Sequence, residues 1–353
     1  MLNRNIPIPM YVQLADTLRE QILSGKIKPG DKLPSETEMI KEYKLGRLTI
    51  RDALSILVNE GLLEKHHGKG TFCRTNITQQ KTKVDLLLNL SDLYFIPYYL
   101  RSICDVLDSE NVNIVLSDTK NDIDTICSLL EKILAEGSDG VIFQPTLESA
   151  QAPQKLVNTL RRLVDSDIPY IMIDTKYDNV PPSYVVMNEV QTGKIAADYF
   201  VRMGHKSLCA IWQEKRIDSV LRAKGFKEAL TTAPYMIENN DSLADSLEVM
   251  LAERPDITGI FCYHDGIAKK CYEMLKDLNI SIPDDISVLS VDDTIIASTL
   301  SPTLTSIVHP KEFLGRDAAK AMLSIISGKI RWPYKKVFEP SLAIRKSCCE
   351  LER

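Results

Sequence analysis

Residues 34–51 read PSETEMIKEYKLGRLTIR, and this stretch decides what the amino-terminal part of the chain is. Ser35 stands three residues before Glu38, the spacing of a capping box that opens a helix. That helix is expected to reach about Tyr43, Gly46 to break the chain, and Arg47 to open a second helix reaching about Asn59. Helix, short turn, helix is the layout that lays a second helix into a DNA major groove. The first turns of that second helix carry Arg47, Thr49 and Arg51. Arginine can fork onto the O6 and N7 of guanine, and threonine can bond a base or a phosphate. Charge alone would fit a solvated helix face with ordinary surface arginines better. The flanking residues reverse that balance.

Upstream, Tyr11, Leu14, Ala15, Leu18 and Ile22 recur at helical spacing, and Gly25 is placed to stop the helix they form. Downstream, Ala53, Leu54 and Leu57 give the second helix an apolar face. Leu62–Lys65, a glycine-bearing turn at 66–70, and Thr71–Arg74 then read as a hairpin. From Lys65 to Arg74 this wing has basic residues and no acidic ones, which suits a minor groove or a phosphate backbone. His66 and His67 are adjacent, so on a strand they face opposite ways, and no third ligand lies near. No metal is expected there.

Residues 10–74 resemble the winged helix-turn-helix of the GntR family of bacterial regulators. The residues that carry this are Tyr11-x-Gln13, Gly25-x4-Gly30, Leu33-Pro34-Ser35-Glu36, Arg47-x-Thr49-Ile50-Arg51-x-Ala53-Leu54 and Gly68-Lys69-Gly70-Thr71-Phe72. The resemblance places the base- and phosphate-reading arginines at Arg47 and Arg51 and the wing tip at His67. The family's helix-start Ser or Thr falls on Gly46, so a capping hydroxyl is missing there. The candidate DNA-contacting set is Ser35, Gly46, Arg47, Thr49, Arg51, His67, Gly68 and Lys69.

The charge distribution agrees. Residues 1–75 carry 12 Lys+Arg against 9 Asp+Glu, and the remainder carries 31 against 39, so a mildly basic head precedes an acidic body. The whole chain of 353 residues has a net charge of -5, which argues against non-specific nucleic-acid binding by the body. At 44% hydrophobic and 26% charged residues the composition is that of an ordinary globular protein with room for two or three domains. No run of 18 apolar residues occurs and the first residues lack an apolar export core, so the expected location is cytoplasmic with no membrane partner. Cysteines at 73, 104, 127, 209, 262, 271, 348 and 349 form no CxxC pair and fit reduced thiols.

Residues 76–82 are polar without an apolar period and read as a linker between a head at 1–75 and a body at 83–353. In the body, apolar runs at 83–90, 112–117, 140–144, 169–173, 183–187, 207–212, 257–262, 286–290 and 304–308 alternate with amphipathic stretches. Such alternation predicts parallel sheets with helices on both faces, and nine strands predict two lobes. The fold class is therefore α/β, with an N-terminal winged helix-turn-helix. Ligands in open parallel sheets sit at the carboxyl ends of the strands, where Lys120, Gln144, Asp174, Asn188, His264-Asp265 and Asp292-Asp293 gather. Helix capping is the plainer role for several of these. No GxGxxG follows the first strand and no P-loop occurs, so nucleotide cofactors are not expected. His264 beside Asp265 could form a catalytic dyad, though a loop histidine with one hydrogen bond is commoner. Asp292-Asp293 reads better as a hydroxyl acceptor than as a cation site.

The body is similar to the two-lobed, type I periplasmic-binding-protein-like effector domain of the LacI/GalR family. The matching words include Asp139-Gly140-Val141-Ile142, Gly204-His205-Lys206, Arg222-x-x-Gly225-Phe226, Ile260-Phe261-Cys262-Tyr263-His264-Asp265 and Ile282-Pro283-Asp284-Asp285-Ile286-Ser287-Val288. The resemblance implies sugar contacts from an aromatic at Tyr94, from Arg222, from His264-Asp265 and from Asp292. His264 stands where Asn is usual, and Gln144 and Asp174 stand where Glu and Asn are expected. The candidate effector set is Tyr94, Lys120, Gln144, Asp174, Asn188, Arg222, His264 and Asp292. A GntR-type head on a LacI-type body resembles the arabinose-responsive regulators of Gram-positive bacteria. This implies a homodimeric repressor on two-half-site operator DNA, released by L-arabinose or a related pentose, with no cofactor. The alternative is a sugar-binding protein or carbohydrate enzyme with a structural head.

Overall fold

The computed structural model describes residues 8–66, 70–74, 82–91, 95–110 and 112–351. They divide into two compact units, one comprising 1–82 with 327–330 and the other 83–326 with 331–353.

In the first unit, α1 (Met10–Leu23) buries Leu14, Ala15, Leu18 and Ile22, four of the five residues read at helical spacing, and leaves Tyr11 exposed. Gly25 follows it at φ 75°, a left-handed conformation open to glycine without strain. α2 (Glu36–Tyr43) opens with the capping box, in which the Ser35 hydroxyl accepts from the Glu38 N–H and the Glu38 carboxylate accepts from the Ser35 N–H at 2.7 Å. α3 (Arg47–Asn59) buries Ile50, Ala53, Leu54 and Leu57. The chain breaks between them where expected, with Gly46 at the cap of α3. Lys44, not Gly46, is left-handed, at φ 53°, with its N–H on the Ile40 carbonyl. Gly46 is extended and caps α3 without a side chain. The wing is β1 (Leu63–His66) antiparallel to β2 (Gly70–Cys73), and Leu63 and Cys73 close one core with Leu33, Met39 and the three helices.

The second unit contains two six-stranded sheets. Its elements in order are β3 (Lys83–Leu88), α4 (Ile96–Ser109), β4 (Asn113–Asp118), α5 (Ile123–Glu136), β5 (Gly140–Phe143), α6 (Gln154–Asp165), β6 (Tyr170–Asp174), β7 (Tyr184–Met187), α7 (Glu189–Arg202), β8 (Leu208–Trp212), α8 (Ile217–Ala229), β9 (Tyr235–Glu238), α9 (Leu243–Glu253), β10 (Gly259–Cys262), α10 (Asp265–Asp277), β11 (Ser287–Asp292), α11 (Ile295–Thr299), β12 (Thr305–Val308), α12 (Lys311–Ile326), β13 (Lys335–Phe338) and β14 (Ser341–Ala343). Lobe one has the order β13-β7-β6-β5-β3-β4, all parallel. Lobe two has the order β14-β12-β11-β10-β8-β9, with only β14 antiparallel. β5, β10 and β11 are buried along their whole length, and β5 and β10 accordingly read as continuous apolar runs without alternation. The sheets hold three strands that the apolar runs did not show, β9, β13 and β14. All three are short edge strands of mixed polarity.

The chain passes between lobes at Asn188, at His309-Pro310 and at Glu339-Pro340, since α12 and β13 pack in lobe one and β14 in lobe two. In lobe two α7 and α8 approach backbone to backbone. A methyl group on Gly193 would overlap the Arg222 carbonyl oxygen, and one on Gly225 would overlap that of Val190. This contact sets where Arg222 stands. Gly193→Ala or Gly225→Ala is therefore expected to lower stability by about 1–3 kcal/mol through overpacking. Urea unfolding of the full chain checks it, and an unchanged midpoint for both variants would contradict the close approach.

Candidate functional site

The strand-end rule and the interlobe crossings converge on one cleft in the second unit. Its centre is the Arg222 guanidinium, buried on α8. Nε donates to Glu189 Oε2 at 2.6 Å and Nη2 to Oε1 at 3.2 Å, a two-pronged pair with the first residue of α7. Nη1 donates to the Tyr263 carbonyl at 2.6 Å and to Asp292 Oδ1 at 3.3 Å. Asp218, one turn before Arg222 on α8, stands 3.9 Å from Nη1 and is gripped by Arg216 at 2.7 and 3.2 Å.

Three carboxylates thus share two guanidinium groups away from water. Burial raises the Glu189 pKa above the ordinary carboxylate value although Arg222 opposes it. Burial likewise pushes Asp292 up to about 7 against the pull of Arg222. Asp218 goes the other way: burial disfavours its charge, but Arg216 and Arg222 together hold its pKa low. Asp292 is at φ 108° and Asp174 at φ 75°, so both cleft carboxylates sit on left-handed backbone at the ends of their strands.

From lobe one, Phe95, Asp174 and Thr175 line the same cavity, and His309 joins them from the second crossing. Asp174 Oδ1 accepts from the Tyr99 hydroxyl at 2.8 Å and lies 3.2 Å from His309 Nε2, while Oδ2 accepts from Gln144 Nε2 at 2.9 Å. Burial works against its charge, yet the His309, Tyr99 and Gln144 contacts hold its pKa below the usual range. Lys311, at the start of α12, donates to the Asp292 carbonyl at 2.7 Å, with its ammonium 5.6 Å from the Phe95 ring centre and 5.3 Å from that of Tyr98. The cavity is small, about 30 Å3, room for about two waters but not for a sugar ring. Admission of a sugar therefore requires the lobes to part or the lining side chains to move.

Of the residues picked from sequence, Asp174, Arg222 and Asp292 line this cavity, and Gln144 holds Asp174 from behind. Four others are placed elsewhere. Asn188 caps α7 through Gln191 and reaches Glu339 at 3.2 Å, joining the first and third crossings. His264 caps α10, its Nδ1 accepting from the Ile267 N–H. Burial first, then Arg216 and Arg222, push its pKa down to about 3, so it is neutral and unsuited to acid–base work. Lys120 is exposed in a left-handed turn after β4. Asp265 is engaged by Ser306, Ser290 and Thr294, a structural knot between α10 and β11. Tyr94 lies outside the described residues. Sequence reading missed Glu189, Asp218, Arg216 and His309. Asp218 was the readable one, because it stands four residues before Arg222 on one helix face.

In the first unit, Arg47 and Arg51 are exposed at 65% and 57% of their side chains, on the outer face of α3. Glu36 stands between them, 3.0 Å from Arg51 Nε and 3.8 Å from Arg47 Nε. Thr49 is half-buried beside them, and the Ser35 hydroxyl is engaged by Glu38 at 2.7 Å. A methyl on Gly46 would touch nothing within 4 Å. His67, Gly68 and Lys69 lie outside the described residues. Among the described residues no group of three metal-ligating side chains could hold an ion, and no helix is long and apolar enough to cross a membrane.

Two family models match the chain: bacterial regulatory proteins of the gntR family at residues 10–73, and the periplasmic binding protein-like domain at 197–348. Both resemblances read from the sequence are borne out. They define the class as a DNA-binding regulator with a ligand-binding body. Among similar structures are a LacI family regulator from Enterococcus faecalis V583 with bound ribose and the lac repressor dimer bound to operator. The first has a TM-score of 0.64 at 23% identity over 77% of this chain and 100% of that one. The second has a TM-score of 0.65 at 17% identity over 77% and 96%. These show the fold. An arabinose metabolism transcriptional repressor from Geobacillus stearothermophilus is 30% identical over 366 residues, 98% of this chain and 99% of that protein. One from Halalkalibacterium halodurans is 28% identical over 96% of each. The chain belongs to the family of arabinose metabolism transcriptional repressors, as a sugar-responsive DNA-binding repressor.

Asp292 makes a pH test of the cleft. Its pKa in the folded protein, about 7, lies above its value in the unfolded chain, so the folded state binds the proton more tightly. The stability this contributes is full below about pH 4 and is lost as pH rises through about 7. Asp292→Asn removes that loss. Wild-type Tm is expected to fall more than that of the variant between about pH 5 and about pH 8. Parallel Tm profiles would contradict the raised pKa.

Proposed function

We propose that the cleft binds a neutral pentose, L-arabinose, and that this binding releases a homodimer from a two-half-site operator. The observation that carries the reading is the Arg222 cluster. Arg216 and Arg222 are both engaged by carboxylates, and Asp174, Glu189, Asp218 and Asp292 outnumber them around the cavity. Hydroxyl groups can insert into such a network, donating to carboxylates and accepting from guanidinium N–H. A phosphate would meet carboxylates first, at a repulsive cost. Phe95 gives the apolar C–H face of a sugar a ring to pack on. The relatives' role in arabinose metabolism points to the particular pentose.

The proposed division of labour is a DNA-binding head at 1–75, a linker at 76–82 and an effector-binding, dimer-forming body at 83–353, in the cytoplasm. In the head, Arg47 and Arg51 read bases or phosphates, with Thr49, Ser35, Gly46 and the wing residues His67, Gly68 and Lys69 as further DNA contacts. In the body, Arg222, Asp292 and Asp174 contact sugar, joined by Glu189 and His309. Asn188, His309 and Glu339 lie where the chain crosses between lobes, so a ligand that changes the spacing of the lobes acts on all three crossings. The sugar changes DNA affinity only in so far as it binds one lobe arrangement better than the other.

Thermal unfolding of the full chain with L-arabinose, D-ribose and their 5-phosphates tests the ligand class. L-arabinose is expected to raise Tm with dose, corresponding to about 2.7 kcal/mol at a hundredfold excess over Kd. A shift with the phosphates alone, or with no pentose, would contradict the reading.

A further inference from the structure

Leu48 is the most exposed large hydrophobic residue among those described, at 73%. It stands in the first turn of α3, between Arg47 and Thr49. At about 3.6 residues per turn it lies almost opposite the buried stripe of Ile50, Ala53, Leu54 and Leu57. Arg51, Asp52 and Ser55, all exposed, share its side of the helix. The outermost line of the helix therefore has an aliphatic side chain at its tip, with Arg47 and Arg51 together on one side of it, where both meet Glu36, and one carboxylate, Asp52, toward the other. No helix-packing role explains a leucine there, because the core lies on the far side.

A major groove offers one apolar group at a base edge, the C5-methyl of thymine. Guanine, the base arginine forks onto, presents acceptors instead. We propose that Leu48 is a specificity-determining residue that reads a thymine methyl in each half-site, beside the positions met by Arg47 and Arg51. Asp52 favours a cytosine N4 amino group over an acceptor on the same face. This inference rests on α3 being the helix that enters the groove.

The test starts from duplexes selected by the purified full chain out of a random library. Each thymine of the selected site is then replaced singly by deoxyuridine, which removes only the methyl. Fluorescence anisotropy of the wild type is expected to show a loss of about fourfold at one thymine per half-site, the value of one buried methyl-sized group. Leu48→Ala is expected to bind the thymine and uracil duplexes equally at that position and to keep its discrimination elsewhere. If the wild type binds all deoxyuridine duplexes as well as the parent, Leu48 reads no methyl and the proposal is overturned. It is equally overturned if Leu48→Ala retains the fourfold difference. Failure to enrich any duplex would instead overturn the DNA-reading assignment of α3, and this inference with it. Leu48 is outside the core, so the variant is expected to keep the wild-type Tm. The wild-type deoxyuridine scan decides the matter even without it.

Discussion

The second unit depends on a buried guanidinium that no single element supplies with partners. Arg222 comes from α8, Glu189 from α7, Asp292 from the end of β11 and the Tyr263 carbonyl from the loop after β10. A buried charge is tolerated only when paired and hydrogen-bonded, and removing one partner of such a set costs about 3–5 kcal/mol. Replacing the whole set by well-packed apolar residues is often neutral or stabilising. A network of this kind is therefore weak evidence for stability and better evidence for a site. It keeps polar groups aimed at a cavity, where an incoming hydroxyl can exchange with them.

The fold serves that arrangement at two distances. Nearby, the mutual approach of Gly193 and Gly225 lets α7 and α8 touch along their backbones, which brings Glu189 within reach of Arg222. Farther off, the three crossings tie the cleft to both lobes. His309 on the second faces Asp174 of lobe one, Asn188 on the first reaches Glu339 on the third, and Lys311 links α12 to the Asp292 carbonyl. A ligand between the lobes meets residues whose backbone belongs to the passages themselves, so its binding energy can act on lobe position without a long relay.

Much of the head was legible because its signals are local. The capping box, the apolar face of α3 and the glycine after α1 each depend on residues a few positions apart, and α2 and α3 fall where they were expected. The turn between them is local too: Lys44 takes the left-handed position after α2, and Gly46, extended, caps α3. In the body, buried central strands showed as apolar runs. β9, β13 and β14 did not, because they are short edge strands that bury little, and the partner of β13, β7, lies about 150 residues before it. The strand-end rule found the right end of each sheet, yet it could not say which polar residue turns inward. His264 and Asn188 are taken by caps, whereas Asp174 and Asp292 are turned toward the cavity on left-handed backbone. Glu189 and His309 become visible only once the lobes are assembled, since their partners are 33 and 135 residues away.

In the proposed function, sugar and operator compete through two states of one molecule. Linkage makes that quantitative: the factor by which a sugar weakens operator binding must equal the factor by which operator weakens sugar binding. The direct measurement is calorimetric titration of L-arabinose into the full chain, free and saturated with a selected operator duplex. Sugar binding to the operator complex is expected to be weaker, by the same factor that the sugar imposes on operator affinity. Equal sugar affinity in the two titrations would contradict it, because a ligand indifferent to DNA occupancy cannot release the protein from DNA.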